Sequence, residues 1–404
     1  MTQQCVILVG GLGSRLGELT RAIPKPLLPI AGRPFLDVLV SEAVRRGFTR
    51  FVFLAGHAWN EIAIFSRTLA DRYGDDFSFT LSVEPEPAGT GGALIHALPL
   101  LEDRFLLLNG DTWSDFNWLD LVVRAQARDA SMIATRLARS AERYESFEIA
   151  PDGLISTIMP RCLGKEPALI NSGVYALRKA DLRNFTGKVS LEGTILPALV
   201  EAGRLFAHSY DGFFIDIGVP ATYGAGQHEI PARLVRGAIF LDRDGVLNHD
   251  DHYVHRPEQV RWIKGAQAAV KRANDLGLYV FVVTNQAGVA RGYYDEESVQ
   301  SLHRWMTEQF RVVGAHIDDW RYCPYHPDGI VGTYRVEHSW RKPAPGMLLD
   351  LMARWPVDAA KSLMIGDQAS DMAAAHAAGI PGARFLGGDL NNFFDHQFAR
   401  YAAS

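Results

Sequence analysis

Cysteine is scarce in this chain. The three present, Cys5, Cys162 and Cys323, are odd in number and far apart. That argues against a disulfide framework and for a reducing, cytoplasmic setting. No apolar run is long enough to span a bilayer, so no membrane partner is expected. Strand-like residues Cys5 to Val9 begin almost at once, without the basic region and cleavage site of a secretory signal. There is no block of basic residues and the net charge is −5, which gives nucleic acid no support as a partner. Repeats and low-complexity segments are absent as well. What remains is an ordinary globular composition, 48% hydrophobic and 22% charged. At 404 residues the chain is long for one domain, and two or three are expected. Oligomeric state leaves no mark on the sequence.

Short apolar runs alternate with amphipathic stretches along the whole chain. Val6–Val9, Phe51–Ala55 and Phe105–Leu108 each stop at a glycine or at Asn109-Gly110-Asp111. The pattern restarts at Ala238–Leu241 and recurs at Leu278–Val283 and Ser362–Ile365. Such runs predict parallel sheets covered by helices: an α/β protein of two Rossmann-like parallel-sheet domains. The polar stretch Gly224–Arg236, with its Pro231, predicts a boundary near Arg233, giving domains 1–232 and 236–404. Residues after Leu386 read as a tail or a last helix.

The first candidate site opens at Val9-Gly10-Gly11-Leu12-Gly13-Ser14-Arg15-Leu16. A glycine-rich turn after a strand lets backbone N–H groups approach phosphate, and Arg15 adds a fixed bidentate charge. Alone, Gly10, Gly11 and Gly13 could be a plain tight turn. Pro24-Lys25-Pro26 then stiffens a loop around one lysine. Together these resemble the sugar-1-phosphate nucleotidyltransferase family, and further segments follow in that family's order. By that resemblance Gly89, Thr90 and Gly91 lie near the base, Asn171 and Glu192 contact the sugar, and Asp111 and Asp216 hold Mg²⁺. Arg15 neutralises the triphosphate and Lys25 bridges the reacting phosphates. Phosphoryl chemistry needs mainly positioning and charge neutralisation, which suits these residue types. One departure stands out: the family often has Glu-Lys before its Asn-x-Gly strand, and here Pro160-Arg161 fills those places, so Arg161 or nearby Lys165 is left to meet the sugar phosphate.

The second candidate site begins at Leu241-Asp242-Arg243-Asp244-Gly245-Val246. It resembles the first motif of the haloacid dehalogenase-like superfamily. The resemblance makes Asp242 the nucleophile and Asp244 the acid and base. Thr284 becomes the phosphate-binding hydroxyl and Lys342 the charge shield. Asp367, with Asp242 and Asp244, becomes a Mg²⁺ ligand, and Asp371 completes that motif. A carboxylate attacking a phosphate dianion needs such neutralisation. Only about 40 residues separate Asp244 from Thr284, too few for a large cap domain. Loops must close the site, which suits a small phosphate ester. Tyr253-Val254-His255, Thr284 to Gly292 and Arg341-Lys342-Pro343-Ala344-Pro345 are similar to heptose-1,7-bisphosphate phosphatases, with histidinol phosphatases near relatives. That likeness puts His255, Arg291 and Arg341 on the distal part of the substrate and Asn285 on the phosphate. Read alone, Tyr253 to His255 could be a solvated loop.

Those phosphatases usually carry a zinc loop, and here it is altered. Cys323-Pro324-Tyr325-His326-Pro327 and His338-Ser339-Trp340 place Tyr325, His338 and Trp340 at three of the four usual ligand positions. Tryptophan cannot ligate and tyrosine binds Zn²⁺ poorly, so zinc is not expected. Cys323, His326 and His338 are the residues left for an improvised site.

Both halves imply heptose metabolism. A phosphatase acting at the 7-position of D-glycero-D-manno-heptose 1,7-bisphosphate leaves heptose 1-phosphate, which a nucleotidyltransferase can activate. The first half looks most like the guanylyltransferases of that sugar, with GTP as donor. The partners expected are small molecules, heptose phosphates and a nucleoside triphosphate, with Mg²⁺ in both halves. Three readings stay open: a mannose or glucose 1-phosphate transferase using another base, a histidinol-phosphate phosphatase, and an inactive regulatory half.

Overall fold

In the computed structural model, residues 2–11, 13–21, 23–139, 144–160 and 167–402 are described. The chain divides into two compact units, Met1–Pro231 and Ala232–Ser404.

The first unit is built on a nine-stranded sheet. Its parallel half runs Arg104–Asn109, Gln4–Leu8, Arg50–Ala55, Ser78–Val83. Cys5, Val6 and Ile7 of the central strand are fully buried, because helices cover both faces of a parallel sheet and leave no wet side. An antiparallel extension continues from Arg104–Asn109 through the long strand Ala168–Arg178 to Ser131–Ala138, Ser146–Ile149 and Ile155–Met159. The sheet is therefore mixed, and the parallel pattern read from the sequence describes one half of it. A separate ribbon pairs Thr112–Asp115 with Phe213–Asp216. Trp113 and Trp118 are buried beside it, Trp118 donating from Nε1 to the Ser114 carbonyl at 2.9 Å. The stretch read as a polar linker is helical from Pro220 to Leu234, with Pro231 inside it.

The second unit has five parallel strands in the order Asp319–Cys323, Tyr279–Asn285, Ala238–Leu241, Leu363–Gly366, Gly382–Arg384. Phe240, Phe281, Val280, Val282 and Val283 are buried within it, each worth about 1.5–3 kcal/mol relative to exposure. Helix Glu296–Val312 shows how local sequence sets an element. Asp295 caps it, accepting from the Ser298 N–H at 2.9 Å, and Glu296 and Glu297 complement the N-terminal dipole. Val299, Leu302, His303, Met306 and Phe310, spaced three and four apart, form its buried face. The residues after Leu386 include a last helix, Leu390–Ala402. Asp111 in the first unit, and Asp242, Thr284 and Asp367 in the second, follow or end parallel strands at their carboxyl ends, where open α/β sheets place their ligands.

Candidate active sites

In the first unit, strand Arg104–Asn109 delivers Asp111 at its end. The ribbon sets Asp216 opposite Thr112, and the Ile217 N–H donates to the Asp111 carbonyl at 2.9 Å. Two aspartates far apart in sequence thus become neighbours. Lys25 completes the group: its Nζ is hydrogen-bonded to Asp111 and lies 3.9 Å from Asp216 Oδ1. Gly218 makes room, because a Cβ there would stand 2.8 Å from Lys25 Nζ and 2.5 Å from Asp216 Oδ1. Two carboxylates converging on one point supply the hard oxygen donors that Mg²⁺ prefers, so the residues fit the expected ion.

Two adjoining clefts meet at this group, sharing Gly11, Arg15, Lys25, Asn109, Asp111 and Glu192. One, of about 330 Å³, is polar, with Asn171, Tyr175, Glu145 and Asp216 on its walls. Asn171 donates to the Tyr175 hydroxyl at 2.8 Å, and burial followed by the nearby Glu192 charge keeps that phenol well above its usual pKa. The other, of about 470 Å³, brings Leu8, Leu54, Pro87 and Ala93 together with Gly10, Gly89 and Thr90. Thr90 donates to Glu192 Oε2 at 2.8 Å and so ties the two clefts together. Gly91 does not face either cleft; a Cβ there would press on Ile195 and Val189, so it serves packing. Arg161 lies outside the described residues. Glu84 was missed from the sequence. It follows the strand Ser78–Val83, lines the less polar cleft, and accepts from the Ala88 N–H at 3.0 Å through Oε2. A carboxylate between a strand end and Gly89-Thr90-Gly91 was the available signal.

In the second unit, a cavity of about 270 Å³ gathers Asp242, Asp244, Thr284, Asn285, Lys342, Asp367 and Asp371. These come from the ends of three adjacent strands, from the loop before helix Gly346–Arg354 and, for Asp371, from the first turn of helix Ala369–Ala377. Lys342 Nζ lies 2.9 Å from Asp242 Oδ1 and 2.7 Å from Asp371 Oδ1, and donates to the Val283 carbonyl at 2.8 Å. Burial works against the charge on Lys342, yet Asp242 and Asp371 outweigh it and its pKa rises. Burial pushes the Asp242 carboxyl up; Lys342 opposes that, while Asp371 and Asp244 add to it. Asp242, Asp367 and Asp371 each offer an oxygen within 4.8 Å of the others. Asp367 Oδ1 is buried without a hydrogen-bond partner, so this group fits a divalent cation. Gly245, at φ +84°, permits the close packing: a Cβ would come within 2.5 Å of Asp367 Oδ2.

Asp244, expected among the metal ligands, has its carboxylate turned to Arg243, Asn248 and Gln286, and the side chains that converge as an acidic group are Asp242, Asp367 and Asp371. Asn285 spends its amide on Lys342, donating to the carbonyl at 3.0 Å and accepting from the N–H at 3.1 Å. His255, Arg291 and Arg341 do not line the cavity. His255 stacks on Tyr294 at 4.7 Å, and Arg291 is bonded to the Tyr253 hydroxyl; both tyrosines do face the cavity. Arg341 Nη1 points to the Tyr325 carbonyl at 3.4 Å. Asp250 and His252, unassigned from the sequence, are on the wall. At the altered loop, Tyr325 and His338 stack with ring centres 4.3 Å apart. Cys323, buried, donates to the Tyr325 carbonyl, while His326 Nδ1 and His338 Nδ1 accept backbone N–H groups at 3.0 and 3.1 Å. No helix is long and apolar enough to cross a membrane among the described residues.

Comparison with known proteins agrees with this division. Residues 4–229 match the nucleotidyl transferase family, and residues 339–391 match the HAD-hydrolase-like family. A D-glycero-beta-D-manno-heptose-1,7-bisphosphate 7-phosphatase of Rhodopseudomonas palustris is 54% identical over 158 residues, 39% of this chain and 88% of that protein. A D-glycero-alpha-D-manno-heptose-1,7-bisphosphate 7-phosphatase of Burkholderia mallei is 44% identical over 143 residues, 35% of this chain and 76% of that protein. The crystal structure of HddC from Yersinia pseudotuberculosis is similar at 29% identity and a TM-score of 0.50, covering 56% of this chain and 99% of that one. The chain therefore belongs to the nucleotidyl transferase family and, in its second unit, to the HAD-like family that includes those phosphatases, making it a fusion of a transferase with a hydrolase.

Proposed function

We propose that this chain carries out two successive steps of nucleotide-activated heptose synthesis. It removes the 7-phosphate of D-glycero-D-manno-heptose 1,7-bisphosphate and then transfers GMP from GTP to the resulting heptose 1-phosphate. The carrying observation is that one chain holds Lys342 between Asp242 and Asp371, and separately Lys25 between Asp111 and Asp216. The catalytic domains are residues 1–232 and 236–404, and the partners are small-molecule substrates in the cytoplasm.

At the hydrolase site, a carboxylate oxygen of Asp242 attacks the 7-phosphorus. The bond from phosphorus to the sugar oxygen breaks, and Asp244 gives that oxygen a proton. Water then attacks the phospho-aspartate, Asp244 takes its proton, and phosphate leaves. Lys342 offsets the repulsion between nucleophile and dianion. At the transferase site, an oxygen of the sugar 1-phosphate attacks the α-phosphorus of the triphosphate. Pyrophosphate leaves with the bonding electrons, and Arg15 and Lys25 spread the charge. Mg²⁺, which Asp111 and Asp216 would hold in one site and Asp242, Asp367 and Asp371 in the other, would supply further charge neutralisation.

Glu84 supports guanine. A carboxylate accepts hydrogen bonds but donates none. The edge of guanine offers two adjacent donors, N1–H and the 2-amino group, whereas adenine offers one donor beside an acceptor. Glu84 spends Oε2 on the Ala88 N–H and keeps accepting capacity toward the cleft. The test is incubation of the purified protein with each anomer of the bisphosphate, Mg²⁺ and each nucleoside triphosphate in turn, with products identified by mass. GDP-heptose, phosphate and pyrophosphate are expected. Consumption of mannose 1-phosphate but no heptose phosphate would overturn the sugar assignment, and preference for ATP would overturn the base.

A further inference from the structure

Arg243 separates the nucleophile Asp242 from Asp244, and no step above uses it. Its side chain is fully buried. A buried guanidinium is costly unless its donors are satisfied. Here they are, and half of their bonds go to one residue. Nη2 lies 2.8 Å from Asp244 Oδ2, and Nε lies 3.2 Å from Oδ1, a two-point grip on the carboxylate. Nη2 also reaches the Val254 carbonyl at 2.7 Å and Gln286 Oε1 at 3.1 Å. Gln286 in turn donates to Asp244 Oδ2 at 3.0 Å, and Asn248 donates to Oδ1 at 2.9 Å. Both carboxylate oxygens are therefore held, by Arg243 and Asn248 of the turn after strand Ala238–Leu241 and by Gln286 after strand Tyr279–Asn285.

The remaining nitrogen of Arg243 faces His303. Nη1 is 3.3 Å from His303 Nε2, and the imidazole stacks on Trp320 with ring centres 4.3 Å apart. Burial, and next the Arg243 charge, hold His303 well below its usual pKa. The ring is then neutral and can accept from Arg243 without adding a second positive charge. The other charged group against Arg243 is Asp244 itself, while Gln286, Asn248 and Val254 are neutral.

We propose that Arg243 is a positioning residue: with Gln286 as its second support, it fixes the orientation of the Asp244 carboxyl group, which in its protonated form gives its proton to the departing sugar oxygen and, once ionised in the same grip, takes one from the attacking water. The bonds made and broken are those of the hydrolase steps above; Arg243 itself exchanges no proton. This inference rests on the phosphatase reading. It also explains why Asp244 stands apart from the acidic group of Asp242, Asp367 and Asp371. A two-point grip needs the planar fork of a guanidinium, which an ammonium cannot reproduce.

The leaving group provides the test. A sugar alkoxide needs a proton to depart, whereas p-nitrophenolate does not. Arg243→Lys in the full chain should lower kcat on heptose bisphosphate about 100-fold, the scale of lost general-acid catalysis. On p-nitrophenyl phosphate it should lower kcat by less than about 5-fold, with KM for both substrates nearly unchanged. Gln286→Leu should split the two substrates in the same direction, by less. Equal losses on both substrates, or a loss carried by KM, would overturn the proposal. Thermal melting checks folding. If Arg243→Lys does not fold, Gln286→Leu decides, and no split there also overturns it. Wild-type protein that cleaves p-nitrophenyl phosphate but releases nothing from the bisphosphate would refute the substrate reading instead. The contrast would then be read on whichever alkyl phosphate the wild type hydrolyses.

Discussion

Lys25 has two carboxylates to satisfy, Asp111 by a direct hydrogen bond and Asp216 at 3.9 Å. Removing it takes away a preorganised cation and leaves two acids facing each other. Lys25→Ala should therefore cost nucleotidyl transfer about 10²–10³-fold, as loss of one charge-stabilising group does in other enzymes. Phosphate release from the bisphosphate, measured in the same preparation, should hardly change; equal loss of both would contradict separate sites. Lys25, Asp111 and Asp216 were legible in the sequence because each sits in a short motif whose neighbours shape it: flanking prolines, a strand end, a glycine that leaves room. Arg243 was not, since its side-chain partners Val254, Gln286 and His303 come from three different stretches of chain. His255 and Arg291 were expected on the substrate by likeness to other phosphatases. In the structure His255 stacks on Tyr294 and Arg291 is bonded to Tyr253, and these two tyrosines line the cavity.

Helix Glu296–Val312 buries a polar side chain, His303, that matters for stability. The folded protein holds His303 well below its usual pKa, through burial first and then Arg243. The unfolded chain, with an ordinary histidine near pH 6.5, binds a proton that the folded state refuses. Stability is therefore lost as pH falls below about 6.5, with a slope of up to ~1.4 kcal/mol per pH unit from this one group. His303→Gln keeps an acceptor toward Arg243 but does not titrate. Denaturant unfolding of the second unit at pH 7 and pH 5 should show a smaller acid loss in the variant. Parallel losses would mean that the folded protein protonates His303. Some strands were legible in the sequence. Buried apolar runs marked Gln4–Leu8, Arg50–Ala55 and Ala238–Leu241. The antiparallel extension was harder to see, because Ala168–Arg178 pairs with strands distant in sequence and shifts register between Asn171 and Tyr175. Nothing local encodes such pairings.

At the scale of the whole molecule, the fusion itself was the plainest feature of the sequence, because each half carries several spaced motifs in order. Chemical order links them. The 7-phosphate must leave and the 1-phosphate must stay before its oxygen can attack a nucleotide. Asp242 lies 2.9 Å from Lys342, in a unit with its own buried core, and is the proposed nucleophile. Asp242→Asn should therefore abolish phosphate release from the bisphosphate, and with it GDP-heptose formation from that substrate. Heptose 1-phosphate supplied directly should bypass the block and restore GDP-heptose at the wild-type rate, because Lys25, Asp111 and Asp216 belong to the other unit. Phosphate release that survives in this variant would exclude the covalent step through Asp242. A variant that stays inactive on heptose 1-phosphate while the wild type turns it over would show instead that the two units do not act independently.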